Sequence, residues 1–338
     1  MSMKNEFAEI IKTTNMIDWA EKVKVKANMT KEEMEVSQVV DAWSKNIGEK
    51  GYDDEHEIAG FIKKTIETNS TYTYPSELFT MMFTEDAVGE FDDIEDNETP
   101  KNTLVAYESG KGGNVPKSYI DIINARRTWK HLQVETRLSY ADLRRNGYRT
   151  IANVTVFAKE ALEQKRLQTV FSLIDTTLQN ASLNNIFTVT GNEVNLTTDI
   201  MDKLSLWTLD HLEGGDTGFA FGQNKYAQAI ARMSGHSSYM SNDMKNDFNK
   251  YGLVKEYGGL VIGGYSGAKR TADGQPIVPD KSLYGISGII GDMVDRGEIR
   301  IYETMNNSKE AVDLKFTGYE FGIKIYRPDK IAKIEFTQ

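Results

Sequence analysis

Cysteine is absent from this chain of 338 residues, proline occurs six times and histidine four times. Without thiols there are no disulfide staples, no thiol nucleophile and no cysteine-ligated zinc or iron–sulfur centre. The histidines His56, His131, His211 and His236 form neither a His-x3-His pair nor a His-Glu-x-x-His motif. Each reads as a surface or hydrogen-bonded side chain rather than a metal ligand. No window of about 18 consecutive apolar residues occurs, so no membrane-crossing helix is expected. The first 22 residues lack the apolar core of a secretory leader. Together with the missing cysteine, this leads to the expectation of a chain made and kept in a cytoplasm.

Catalytic signatures are missing too. Residues 109–113, "SGKGG", lack the Gly-x4-Gly-Lys-Ser/Thr spacing of a phosphate loop, and the proline three residues later suits a hairpin tip. Residues 258–267 hold five glycines but no Gly-x-Gly-x-x-Gly. No Gly-x-Ser-x-Gly elbow occurs. Aromatics do not interleave with Lys and Arg as on a single-strand nucleic-acid platform. No enzymatic activity and no cofactor are expected.

What the chain does have is an uneven charge. It carries 40 Lys+Arg and 50 Asp+Glu, a net of -10. Residues 51–100 hold 2 basic and 14 acidic side chains, and residues 101–150 hold 10 basic and 4 acidic. An acidic block therefore abuts a basic one, and the rest is near neutral. The acidity argues against a surface that coats duplex DNA. With 39% hydrophobic residues the chain can bury one or two cores. Residues 85–98 place eight acids in fourteen positions but lack the calcium-loop register. They read as a solvated linker or an electrostatic contact. A carboxylate metal-dependent hydrolase built on this run is the enzymatic alternative.

Periodicity divides the chain. Thr30 and Glu33 form a capping box ahead of Met34, Val36, Val39, Val40 and Trp43. Ile58, Phe61, Ile62 and Ile66 predict a helix over 54–68. Such helices suit a neighbour as well as their own chain. Residues 101–138 read as a long excursion, with strands near 103–108 and 119–123 around a Gly-rich tip. Residues 129–138 alternate as a strand. Ser139 and Asp142 cap the short helix "YADLRRNG", which Gly147 ends. One long helix is expected over 151–180, roughly 43 Å at 1.5 Å per residue, with Lys165 interrupting its stripe. A strand near 218–221 and a helix over 224–235 follow. Residues 286–294 fit helix or strand. Ile299, Ile301 and Tyr302, then Leu314 and Phe316, then Phe321, Ile323 and Ile325, predict three terminal strands.

The order of elements resembles the major capsid proteins of tailed double-stranded DNA phages, the Hong Kong 97-type fold. The residues that carry the likeness are "ETRLSYADLRRNG" leading into helix 151–180, "NKYAQAIARMSG" after "GFAFG", and the terminal strands from "DRGEIRIYE" onward. The resemblance implies an α+β fold. Residues 1–98 would be a helical N-terminal arm with an acidic end, and 99–137 an extended β-hairpin loop. Residues 138–200 and 296–318 would form a peripheral domain on a long spine helix, and 201–295 with 319–338 an axial domain. It implies self-assembly into hexamers and pentamers of an icosahedral head around packaged double-stranded DNA, without sequence-specific DNA binding. Portal, scaffolding or decoration proteins would be partners, and no membrane. The location would be the virion capsid, assembled in the host bacterial cytoplasm. An encapsulin-like bacterial compartment shell is the alternative on the same fold. Some relatives form a Lys–Asn crosslink, but no residue-level match carries it here.

In such a ring, acidic arm meets basic loop between neighbours, which sets register and orientation. The candidate intersubunit contacts are Lys111, Lys117, Arg126, Arg127, Arg144 and Arg145 on the basic side. Asp92, Asp93, Glu95 and Asp96 are their acidic counterparts.

Overall fold

The computed structural model describes residues 16–50, 62, 77–89, 99–101, 104–108, 116–123, 126–233, 241–251, 254–267, 274–297, 300–306 and 310–337. Apart from Ile62, the helix expected over 54–68 lies outside the described residues, and so does most of the acidic run 85–98.

Two helices open the described chain, α1 (Met16–Val25) and α2 (Lys31–Lys50). The expected capping box starts α2. The Glu33 N–H donates to the Thr30 hydroxyl at 3.2 Å, and the Thr30 N–H donates to the Glu33 carboxylate at 2.8 Å. Lys22 Nζ also reaches Glu33 at 2.5 Å, and the Trp19 indole donates to the Ser37 hydroxyl at 2.9 Å. Met16, Trp19, Ala20 and Val23 recur at helical spacing and are buried. Covering a side chain as large as Trp19 stabilises by roughly 2–3 kcal/mol. These helices therefore lie on their own chain.

The chain continues through α3 (Glu77–Met82), β1 (Phe83–Val88), β2 (Thr99–Lys101), β3 (Asp121–Ile123) and β4 (Thr128–Ser139). It then enters α4 (Tyr140–Asn146) and α5 (Tyr148–Ala181). Ser139 caps α4 as expected, its hydroxyl accepting from the Asp142 N–H at 3.0 Å. Gly147 separates the two helices at φ +50, a conformation that favours glycine. A Cβ there would stand 2.0 Å from Asp41 Oδ1, because α2 presses against this corner. The long helix begins three residues earlier than expected, and its 34 residues span about 51 Å.

Beyond α5 come β5 (Ile186–Thr190), α6 (Thr198–Asp210), β6 (Gly218–Gln223), α7 (Asn224–Arg232), α8 (Asn242–Tyr251), β7 (Glu256–Tyr257) and β8 (Leu260–Tyr265). The last strands are β9 (Ser282–Ser287), β10 (Gly291–Arg296), β11 (Arg300–Asn306), β12 (Ala311–Ile325) and β13 (Ile331–Thr337). The stretch 286–294, open between helix and strand, contains the end of β9 and most of β10. The excursion differs in detail. Residues 104–108 and 119–120 are not strand, and the short pairing is Thr99–Lys101 with Asp121–Ile123.

The first sheet is organised by β12. It pairs antiparallel with β4 along one edge, and with β11 and then β10 along the other, while β10 holds β1 in parallel. Two strands were expected over 311–325, but one 15-residue strand is found. The reason is parity. Leu314 and Phe316 are even-numbered, Phe321 and Ile323 are odd, and all four are buried. A strand alternates faces at every residue, so one face can hold both sets only through a bulge. The register shifts between Phe316 and Tyr319. Position 318 thus lies inside β12.

The second sheet runs β5-β13-β9-β6-β8-β7. Its central strands β6 and β9 are buried throughout. Met201 and Leu204 of α6, with Tyr226, Ala227 and Ile230 of α7, join Leu283, Ala332, Ile334 and Phe336 in one core. On the other side Phe171 of α5 stacks on Phe221 at 5.6 Å and leans on Tyr284 at 5.6 Å. That face belongs to the core that α5 shares with the first sheet, α1 and α2. The spine helix is thus built into both layers. No helix among the described residues is long and apolar enough to cross a membrane.

Candidate intersubunit surface

The excursion carries the feature that least suits an isolated subunit. Leu104, Val105, Tyr107, Tyr119 and Ile120 are all large and exposed, with Tyr119 at 75% and Ile120 at 59%. They are five of the ten described residues in 104–108 and 116–120. The two arms touch where the Val105 N–H donates to the Ser118 hydroxyl at 3.3 Å. Clustered apolar exposure of this kind marks a surface meant for a partner. A three-residue pairing cannot hold such a ribbon by itself.

The basic positions separate into two environments. Lys117 and Arg126 are exposed in or beside the excursion, and Arg144 and Arg145 are exposed in the last turn of α4. There they also complement the carbonyl end of that helix. Arg127 differs. Its side chain is 5% exposed and its guanidinium pairs with Asp292 of β10 within the same chain. Lys111, Asp92, Asp93, Glu95 and Asp96 lie outside the described residues.

Periodicity alone passed over several buried charges. Lys165 is exposed; the charged residue inside the stripe of α5 is Arg166, 1% exposed. It pairs with Asp295 of β10 at 3.0 Å and lies over the Phe321 ring at 5.7 Å. The spacing Leu162, Arg166, Val170, Ile174 was the available signal, since residues four apart share a helix face. Glu85 of β1 lies in the same region. Burial pushes its carboxyl up, Arg166 opposes this and Asp295 adds to it. Burial also pushes up Glu163, against the pull of Lys159 and with Glu160 and Glu21 adding. A third group ties α5 to the second sheet. Lys333 Nζ lies 3.0 Å from Asp175, and the Tyr284 hydroxyl donates to Asp175 at 3.0 Å. Among the described residues no three His, Asp or Glu side chains gather as a cation site. Arg166 with Asp295 and Asp175 with Lys333 and Tyr284 hold elements together, and the surface chemistry rests on the excursion and on the exposed arginines.

No protein-family model matches the sequence, and no curated protein matches it. Solved structures do. A chain in the capsid structure of the cyanophage P-SCSP1u aligns with a TM-score of 0.51 at 12% identity, covering 76% of this chain and 86% of that one. A chain from Gordonia phage Cozz gives 0.52 at 11% identity, with 77% and 86% covered. One from Mycobacterium phage Bobi gives 0.50 at 10% identity, with 77% and 90% covered. The architecture is an α+β, Hong Kong 97-like capsid fold.

Proposed function

We propose that the chain is a major capsid protein of a tailed double-stranded DNA phage, a structural subunit whose work is done at interfaces. The observation that carries this reading is a capsid fold that leaves an apolar, weakly paired ribbon uncovered on the isolated subunit. Copies assemble into hexamers and pentamers, and these close an icosahedral head around DNA held without sequence readout. Portal and scaffolding or decoration proteins complete the particle, and assembly takes place in the host cytoplasm. Residues 138–200 with 296–318 form the peripheral domain and residues 201–295 with 319–338 the axial domain, with the first sheet also drawing in β10 and the end of β12 from the axial span and the second drawing in β5 from the peripheral span.

The excursion lies over an adjacent copy. Lys111, Lys117, Arg126, Arg144 and Arg145 face the acidic stretch that holds Asp92, Asp93, Glu95 and Asp96 on a neighbour. Arg127, engaged with Asp292, contributes by holding the base of the excursion. Electron imaging of the purified chain tests the reading, with nucleic acid and co-purifying protein assayed in any particles. Closed particles containing DNA are expected. A chain that stays monomeric with its assembly partners present overturns the proposal, and a protein cargo in place of DNA points to a compartment shell. Salt and the triple change Arg126→Gln, Arg144→Gln, Arg145→Gln should both impair assembly of folded subunits. Unchanged yields would remove the electrostatic part.

A further inference from the structure

Trp129 sits at the root of the excursion, one residue into β4. The register sets it opposite Gly322 of β12, and Gly322 opposite Val294 of β10. A Cβ on Gly322 would stand 2.9 Å from two carbons of the Trp129 ring and 2.6 Å from Arg127 Cδ. The indole therefore occupies the space a side chain would need. The Arg127 guanidinium lies 6.0 Å from the ring centre and that of Arg296 lies 5.6 Å from it. Arg127 is anchored in turn by Asp292. Along β10, Asp292, Val294 and Arg296 share one face, while Met293 and Asp295 share the other, toward Arg166 of α5. The indole and its arginines are thus on the outer face of the first sheet, away from the α5 core.

A ribbon joined by a three-residue pairing cannot set its own direction. Its direction has to be imposed where it leaves the sheet. At that exit Arg127 and Trp129 both close over Gly322. We propose that Trp129, seated on Gly322 between Arg127 and Arg296, is a positioning residue that fixes the angle at which residues 99–127 leave the subunit, and so the curvature of the assembly. The link to curvature rests on the capsid reading above. The link to the angle does not.

The absence of cysteine makes a direct measurement practical. Lys117→Cys and Lys315→Cys place one spin label on the excursion and one on the outer face of β12. Pulsed dipolar spectroscopy of the full chain should give one narrow distance peak. In Trp129→Ala and Gly322→Ala the peak shifts or broadens, and Trp129→Phe, which keeps a flat ring over the glycine, restores it. Arg296→Gln removes one cation without touching the packing on Gly322 and gives a smaller broadening. Particles from Trp129→Ala should show a shifted or wider diameter distribution, with Trp129→Phe again at the parent value. An unchanged distance peak in folded Gly322→Ala and Arg296→Gln overturns the proposal, whatever becomes of Trp129→Ala. If the parent chain forms no particles, the capsid reading fails, while the distance peak still decides the role of Trp129.

Discussion

Replacing Tyr119 and Ile120 together by serine removes the two most exposed large apolar groups among the described residues of the excursion. Full burial of a side chain of this size stabilises by about 1.5–3 kcal/mol. Tyr119 is 75% exposed and Ile120 59%, so most of that free energy is unspent in the lone subunit. Scaled by those fractions and taken toward the lower end of that range, because serine keeps part of the contact, covering them on a neighbour contributes roughly 2.5 kcal/mol per contact. Orientational costs of association are common to parent and variant and cancel in the difference. A loss of about 2.5 kcal/mol corresponds to roughly a 70-fold weaker contact. Light scattering against protein concentration should therefore show the assembly threshold rising by between one and two orders of magnitude. Thermal unfolding of the unassembled subunit should not move, because exposed substitutions of this kind change stability by less than about 0.5 kcal/mol. An unmoved threshold would refute the reasoning. So would a threshold that rises together with a falling melting temperature, because the two side chains would then be serving their own subunit.

Three further predictions concern the subunit itself. Gly147→Ala should lower the melting temperature, since a left-handed backbone costs a side-chain-bearing residue about 1–2 kcal/mol and the new methyl would also displace Asp41. Adding Asp41→Ala should recover part of that loss, a non-additivity that calorimetry of the double variant would detect. Burial raises the Glu33 carboxyl, but the bonds from Lys22 and Thr30 outweigh it and hold the group below its usual 4.5. Its contribution is thus present above that value and lost as pH falls below it, and Glu33→Gln should flatten the acid limb of a stability–pH curve measured by denaturant melts. Arg166→Met should lower stability by removing the ion pair that joins α5 to Asp295 of β10, and adding Asp295→Asn should return part of the loss, a coupling that denaturant melts of the single and double variants would detect.

The helical half of the fold was legible because its signals are local. Thr30, Glu33, Ser139 and Gly147 act within one turn, and each sits where its chemistry requires. The long helix was legible from its apolar spacing. Strand boundaries were harder. The bulge that merges the stretches around Phe316 and Phe321 is seen in the pairing of β12 with β4, a strand far away in sequence. Arg166 and Lys333 were passed over because burying a charge depends on a distant acid, Asp295 or Asp175. At the candidate surface, the basic block around 101–150 was visible as composition. Its division into exposed Arg126, Arg144 and Arg145 and inward-held Arg127 was not, since nothing near Arg127 in the chain announces Asp292.

One helix serving two hydrophobic layers has a mechanical consequence. The first sheet grips α5 through Arg166 and Asp295, and the second grips it through Phe171 and through Lys333 and Asp175. Twisting one layer against the other would have to bend about 51 Å of hydrogen-bonded rod or strip an arginine from its acid. The body of the subunit should then behave as a stiff tile that melts in a single cooperative step. Whatever compliance a closed surface of such tiles needs would come from the seams between them and from the ribbon that crosses those seams.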